Sequence, residues 1–275
     1  MPLAHILSLF VIVGAWFPAS DATGWWRPSA GIAWDVQFAI DPEAELVPPP
    51  GPISAIDLDG GETPAGTVDA LHQRGMRVLC YVNAGAWEEW RPDAGNYPDA
   101  IIGRAYPDWP GERFVDIRAL TVLGPILEVR LDRCAALGFD AIEPDNIDTM
   151  HAETGFMLTE NDQLVFNRWL AGEAHDRGLA IFQKNVPELA ADLVDTYDGA
   201  VTEDCAADGW CDDMAPYPDA NKPVLAIEYS DVTDPGEFAA MCADRALGQL
   251  SLILKSRDLD ASRVACDDPP VQATR

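Results

Sequence analysis

Carboxylates gather where the apolar runs of this chain end. The stretch from Gly138 to Met150, GFDAIEPDNIDTM, begins as a buried strand would and then meets Glu143, Pro144, Asp145, Asn146 and Asp148. A buried segment avoids charge unless the charge is paired or used. The same change recurs at Asp57 and Asp59, at Asn83 with Glu88, at Lys184 and Asn185, at Glu203 and Asp204, and at Glu228 and Tyr229. Paired carboxylates suit glycosidic cleavage, in which one acid protonates the leaving oxygen and a second carboxylate acts as nucleophile or base. Trp87, Trp90, Trp109 and Trp210 fall in the same loops and offer flat faces to sugar rings, whereas Trp25, Trp26 and Trp169 read as core. Two other readings stay open. Asp145, Asn146 and Asp148 offer oxygen ligands to calcium in a structural module, although the Gly turn and terminal Glu of an EF-hand loop are missing. A catalytically silent carbohydrate-binding barrel is the other. With four histidines scattered singly, no transition-metal set and no cofactor is expected.

The elements that must carry these residues alternate. Near-continuous apolar runs at Ile32–Ala39, Ile53–Leu58, Arg77–Val82, Phe139–Glu143, Leu179–Gln183, Ala200–Glu203, Val224–Tyr229 and Ser251–Lys255 read as strands of a covered parallel sheet. Thr159-x-x-Asp162 and Asp234-Pro235-Gly236-Glu237 open helices, and Leu120, Leu123, Leu127, Leu131 and Cys134 form an apolar stripe ended by Gly138. Eight strands with helices between them predict a single-domain (β/α)8 TIM barrel, whose active site lies at the C-terminal strand ends. The link DPEAELVPPPGP lacks a regular first helix, and GERFVDIRA reads as a further strand that would shift the count. A doubly wound open sheet is the alternative, without a Gly-rich phosphate motif to support it.

Composition bounds the context. The chain has 275 residues and a net charge of −28, which repels nucleic acid and anionic membranes and attracts a cationic polymer or dissolved cations, although on charge alone solubility or adaptation to salt or acid is the better reading. An apolar run from Ile6 to Phe17, then Pro18 and small residues, predicts a signal peptide over residues 1–22 and a catalytic domain over 23–275. The mature form is therefore expected to be exported, extracellular or periplasmic, monomeric and not inserted in a membrane. Six cysteines agree with export. Cys205–Cys211 is the expected bridge, Cys242 and Cys266 suit a staple of the tail, and Cys80 reads as the best candidate for a free buried thiol.

Several long motifs occur in order: CYVNAGAWEEWRPD, WPGERFVDIR, GFDAIEPDNID, TGFMLTENDQLVFNRWLAGEAHDRGL, KN at Lys184, EDC at Glu203 and KPVLAIEY. Together, from about Ile32 to Tyr229, they closely resemble glycoside hydrolase family 114, the endo-α-1,4-polygalactosaminidases. The resemblance implies a (β/α)8 barrel, secretion, no cofactor, and hydrolysis of α-1,4-linked galactosamine polymers. It places the catalytic carboxylates on Asp145 and Glu203. The substrate-binding set expected around them is Asp57, Tyr81, Asn83, Glu88, Asp148, Lys184, Asn185, Glu228 and Tyr229, with no metal. Lys184 is expected to keep Asp145 ionised, leaving Glu203 as the protonated partner. Ala141-Ile142, Asp204 and Met150 depart from the family pattern beside the site.

Overall fold

The computed structural model describes residues 24–39, 53–107 and 109–266. The expected signal peptide and the link DPEAELVPPPGP lie outside the described residues. Eight parallel strands follow one another around a curled sheet: β1 (Trp34–Gln37), β2 (Ala55–Asp59), β3 (Arg77–Asn83), β4 (Ala141–Asp145), β5 (Ala180–Lys184), β6 (Gly199–Glu203), β7 (Val224–Tyr229) and β8 (Ser251–Lys255). Each pairs in parallel with its sequence neighbour. Val264–Ala265 adds a short antiparallel strand to β8. Side chains make the join between β8 and β1. Trp34 Nε1 donates to Ser251 O at 2.8 Å, Lys255 Nζ meets Asp35 Oδ1 at 2.9 Å, and Arg263 Nε donates to Trp34 O at 2.8 Å. The interior is filled by Trp34, Val36, Leu79, Phe182, Val201, Leu225 and Ile227, as expected of a packed barrel core.

The helices are uneven. Two are long, α2 (Leu120–Leu137) and α3 (Glu160–Asp176), after the short α1 (Thr67–Gln73). Then come single turns, α4 (Ala190–Leu193), α5 (Cys205–Asp208) and α6 (Pro216–Asp219), and finally α7 (Pro235–Ala243). Both expected capping boxes form, Thr159 with Asp162 and Asp234 with Glu237, satisfying the first free N–H groups of α3 and α7. Leu123, Leu127, Leu131 and Cys134 bury the apolar stripe of α2, and Gly138 ends it at φ 87°, where a Cβ is disfavoured. Among the described residues no helix is long and apolar enough to cross a membrane.

The strand expected in GERFVDIRA exists but belongs elsewhere. Glu112–Val115 lies between Ala86–Glu88 and Ile102–Ala105 in a separate antiparallel sheet inserted after β3, so the barrel count of eight stands. All six cysteines pair: Cys80–Cys134, Cys205–Cys211 and Cys242–Cys266. Cys80 is therefore not the free thiol that its apolar strand suggested; it ties β3 to α2.

One device anchors two strands. Asp140, just before β4, accepts from Val78 N at 2.9 Å and meets His72 Nε2 at 2.7 Å and the Arg77 guanidinium. Asp198, just before β6, accepts from Ile181 N at 3.1 Å and meets His175 Nε2 at 2.9 Å and Arg27. These are the strands that end in Asp145 and Glu203.

Candidate active site

The C-terminal strand ends open into a cleft of about 610 Å³. Lys184, at the end of β5, stands at its floor. Its ammonium lies 3.1 Å from Glu143 Oε1, 3.1 Å from Asp145 Oδ1 and 3.3 Å from Glu203 Oε2. Glu143 is buried, with 2% of its side chain exposed, whereas Asp145 and Glu203 keep 23% and 32%, so only the latter two reach the cleft. Tyr81 OH donates to Asp145 Oδ2 at 2.9 Å, and Tyr229 OH donates to Glu203 Oε1 at 2.6 Å. Each candidate carboxylate thus has the shared lysine on one oxygen and a tyrosine on the other.

Sharp turns after the strands hold these groups. Asn185 and Val186 both lie in the left-handed region, at φ 48° and 49°, a costly state for a β-branched residue. Gln183 Nε2 supports that turn by donating to Asn185 O and Val186 O. Asn185 in return donates to Glu203 Oε2 at 3.2 Å and accepts from Glu203 N at 3.0 Å. Gly85 packs against Asn146 so closely that a Cβ there would sit 1.7 Å from Asn146 O. The Cys205–Cys211 bridge closes the turn behind Glu203.

The charges are unevenly compensated. Burial works to raise the Glu203 carboxyl, but Lys184, Tyr229 and Asn185 outweigh it and hold the group below its usual range. The expectation that Lys184 would favour Asp145 alone and leave Glu203 protonated therefore fails for the free protein, because the ammonium bridges both. Asp148 is pushed up to about 6 by burial and by Asp145. Glu112 is pushed up to about 7 by burial, Glu88 and Asp145. Among the described residues seven carboxylates line the cleft (Asp59, Glu62, Glu88, Glu112, Asp145, Asp148 and Glu203), against three cations, Arg91, Lys184 and Arg257.

Of the residues singled out from sequence, Asp145, Glu203, Tyr81, Glu88, Asp148, Lys184, Asn185 and Tyr229 line this cleft. Three do not. Asp57 is fully buried beneath it, beside Glu143. Asn83 is a buried hub that donates to Glu112 Oε2 and accepts from Ala86 N and Asn146 Nδ2. Glu228 points the other way and accepts from Ala206 N and Ala207 N of α5, which its neighbour Tyr229 facing inward requires. Glu88 reaches the cleft but is spoken for by Arg91 and Arg130. Trp90 and Trp109 stand on the cleft wall about half exposed, while Trp87 donates to Ala94 O. Glu112, Tyr106, Arg91 and Arg257 also line the cleft and were missed. Glu112 carried a signal, an acid opening the ambiguous strand of WPGERFVDIR. The calcium reading loses its main ligand, since Lys184 and Tyr81 already occupy Asp145.

An eight-stranded parallel barrel with bridged carboxylates at the ends of β4 and β6 defines a class, the TIM-barrel glycoside hydrolases. The model of glycoside-hydrolase family GH114 matches residues 15–270, and the chain belongs to that family. It is similar to Ega3 of Aspergillus fumigatus, solved in complex with galactosamine, at 28% identity and a TM-score of 0.81, over 88% of this chain and 97% of that one. The glycoside hydrolase domain of PelA from Pseudomonas aeruginosa shares the fold at 15% identity and a TM-score of 0.63, over 85% of this chain and 98% of that domain. No curated relative matches the sequence.

Proposed function

We propose that this glycoside hydrolase cleaves α-1,4-linked galactosamine polymers internally, with Asp145 as nucleophile and Glu203 as acid and base. The charge balance of the cleft carries the substrate reading. Among the described residues Glu112 and Asp148 form no direct ion pair, and the more distant Arg91 and Lys184 do not offset their burial, which is costly to the charged forms unless a cation arrives with the ligand. The ammonium groups of a de-acetylated hexosamine polymer supply it. Ega3 was solved with galactosamine, which supports the same class of sugar. Trp90 and Trp109 provide exposed faces for sugar rings outside the reacting pair.

The mechanism follows from the shared lysine. Because Lys184 Nζ touches both carboxylates, the two contacting oxygens lie no more than about 6.4 Å apart, the sum of the two contacts, and such a close approach favours a retaining pair over a wider inverting one. We therefore assign retention of anomeric configuration. Glu203, ionised in the free protein, must take up a proton before the first step. Asp145 then attacks the anomeric carbon while Glu203 passes that proton to the departing oxygen, and in the second step Glu203 takes a proton from the water that displaces Asp145 and releases the sugar. Lys184 stabilises whichever carboxylate is charged at each step.

Export in a mature form is supported by the three disulfides, which persist in oxidising compartments. The test is incubation with de-acetylated galactosamine polymer and sizing of the products by mass spectrometry. A ladder of mid-sized oligomers is expected; an uncut polymer would reject the reading.

A further inference from the structure

Beneath the cleft floor lies a pair of acids that the chemistry above does not use. Asp57 on β2 is fully buried, and among the described residues no side chain donates to either of its carboxyl oxygens. Glu143 on β4 is 2% exposed, and its Oε2 is also without a donor, while its Oε1 holds Lys184 Nζ at 3.1 Å. The two side chains face each other within hydrogen-bond reach. As two carboxylates they would be acceptors only, leaving three buried oxygens without a side-chain donor and a fourth negative charge beside one ammonium.

We propose that Asp57 is a positioning residue that keeps its proton at neutral pH and donates it to Glu143 Oε2. One hydrogen then satisfies Glu143 Oε2 and one of the two Asp57 oxygens. Glu143 stays a carboxylate toward Lys184, and the lysine is held where it bridges Asp145 and Glu203. The proton cannot reside on Glu143 instead without weakening that ion pair. The other charged groups on nearby strands are committed elsewhere: Asp35 of β1 to Lys255 of β8, and Tyr81 of β3 to Asp145. Burial first, then Glu143, raises the Asp57 carboxyl, in keeping with this assignment.

The test has a spectroscopic arm and a kinetic arm. Infrared difference spectra between wild type and Asp57→Asn at neutral pD should show one protonated-carboxyl carbonyl band that wild type has and the variant lacks, while any band from Glu112 or Asp148 is common to both and cancels. Asn at this position still donates to Glu143, so Asp57→Asn should stay within a few-fold of wild-type kcat. Asp57→Ala removes the donor and should lose about 10- to 100-fold, the scale of a slightly misplaced reacting group. The absence of that difference band would overturn the proposal, as would Asp57→Asn being as impaired as Asp57→Ala. The infrared arm does not depend on the substrate and holds even if Asp57→Ala fails to fold. The kinetic arm rests on the galactosaminidase reading, whose own failure would show as inactive wild type.

Discussion

Asp145 and Glu203 are each held by Lys184 and a tyrosine, and this symmetry makes single-atom substitutions informative. Asp145→Asn and Glu203→Gln should each lower kcat at least about 100-fold, the low end for a positioned proton-transfer or attacking group, with melting temperatures near wild type. A variant retaining a tenth of the activity would show its residue misassigned. Tyr229→Phe removes a donor to the ionised form of Glu203, so the carboxyl should hold its proton to higher pH. As the acid, Glu203 works protonated, and the alkaline limb of kcat/KM should move upward; an unmoved limb would take Glu203 out of the acid role. Lys184→Met leaves three carboxylates facing one another and should cost about 3–5 kcal/mol in a denaturant melt. At this scale the sequence was legible wherever a polar residue ended a strand and faced inward. Glu228 was misread because a strand end says nothing about parity, and Asp57 because it faces inward one layer too deep.

Among the elements, the parallel strands were legible because burial on both faces leaves near-continuous apolar runs, and the capped helices because Thr159 and Asp234 announce their starts. The inserted antiparallel sheet was not, since three short strands carry little periodicity and their pairing is nonlocal. Yet this sheet brings Glu112 to the cleft. Its raised carboxyl binds a proton more tightly folded than unfolded, so its stabilising contribution is present at pH values below the ordinary carboxyl range and is lost as pH rises toward about 7. Wild type should accordingly lose more melting temperature between pH 5 and pH 8, an interval chosen at roughly a unit either side of that region, than Glu112→Gln does. Equal slopes in thermal melts would show that Glu112 titrates normally.

Across the whole molecule, the charge of −28 surrounds a cleft that is itself short of cations. Exposed charges interact over about 10 Å at 0.1 M salt and about 3 Å at 1 M. Attraction to a polycation should therefore act on association more than on bond cleavage. With de-acetylated polymer, KM should rise with added salt while kcat changes little; fully acetylated polymer should be cut more slowly and show almost no salt dependence. Identical salt slopes for the two polymers would leave the acidity a matter of solubility. The overall charge was plain in the sequence, but its local imbalance was not, because which acids find an Arg or Lys is decided by folding, as Asp59 with Arg91 shows.

Asp145 and Glu203 share one lysine, and the proposed mechanism for them is double displacement. Proton NMR of the anomeric region, recorded in the first minutes of cleavage of an α-1,4-linked galactosamine polymer by wild type, reads this directly. The α-anomer should appear first and the β-anomer only later, by mutarotation. A first-formed β-anomer would mean inversion and would contradict the assignment of Asp145 as nucleophile.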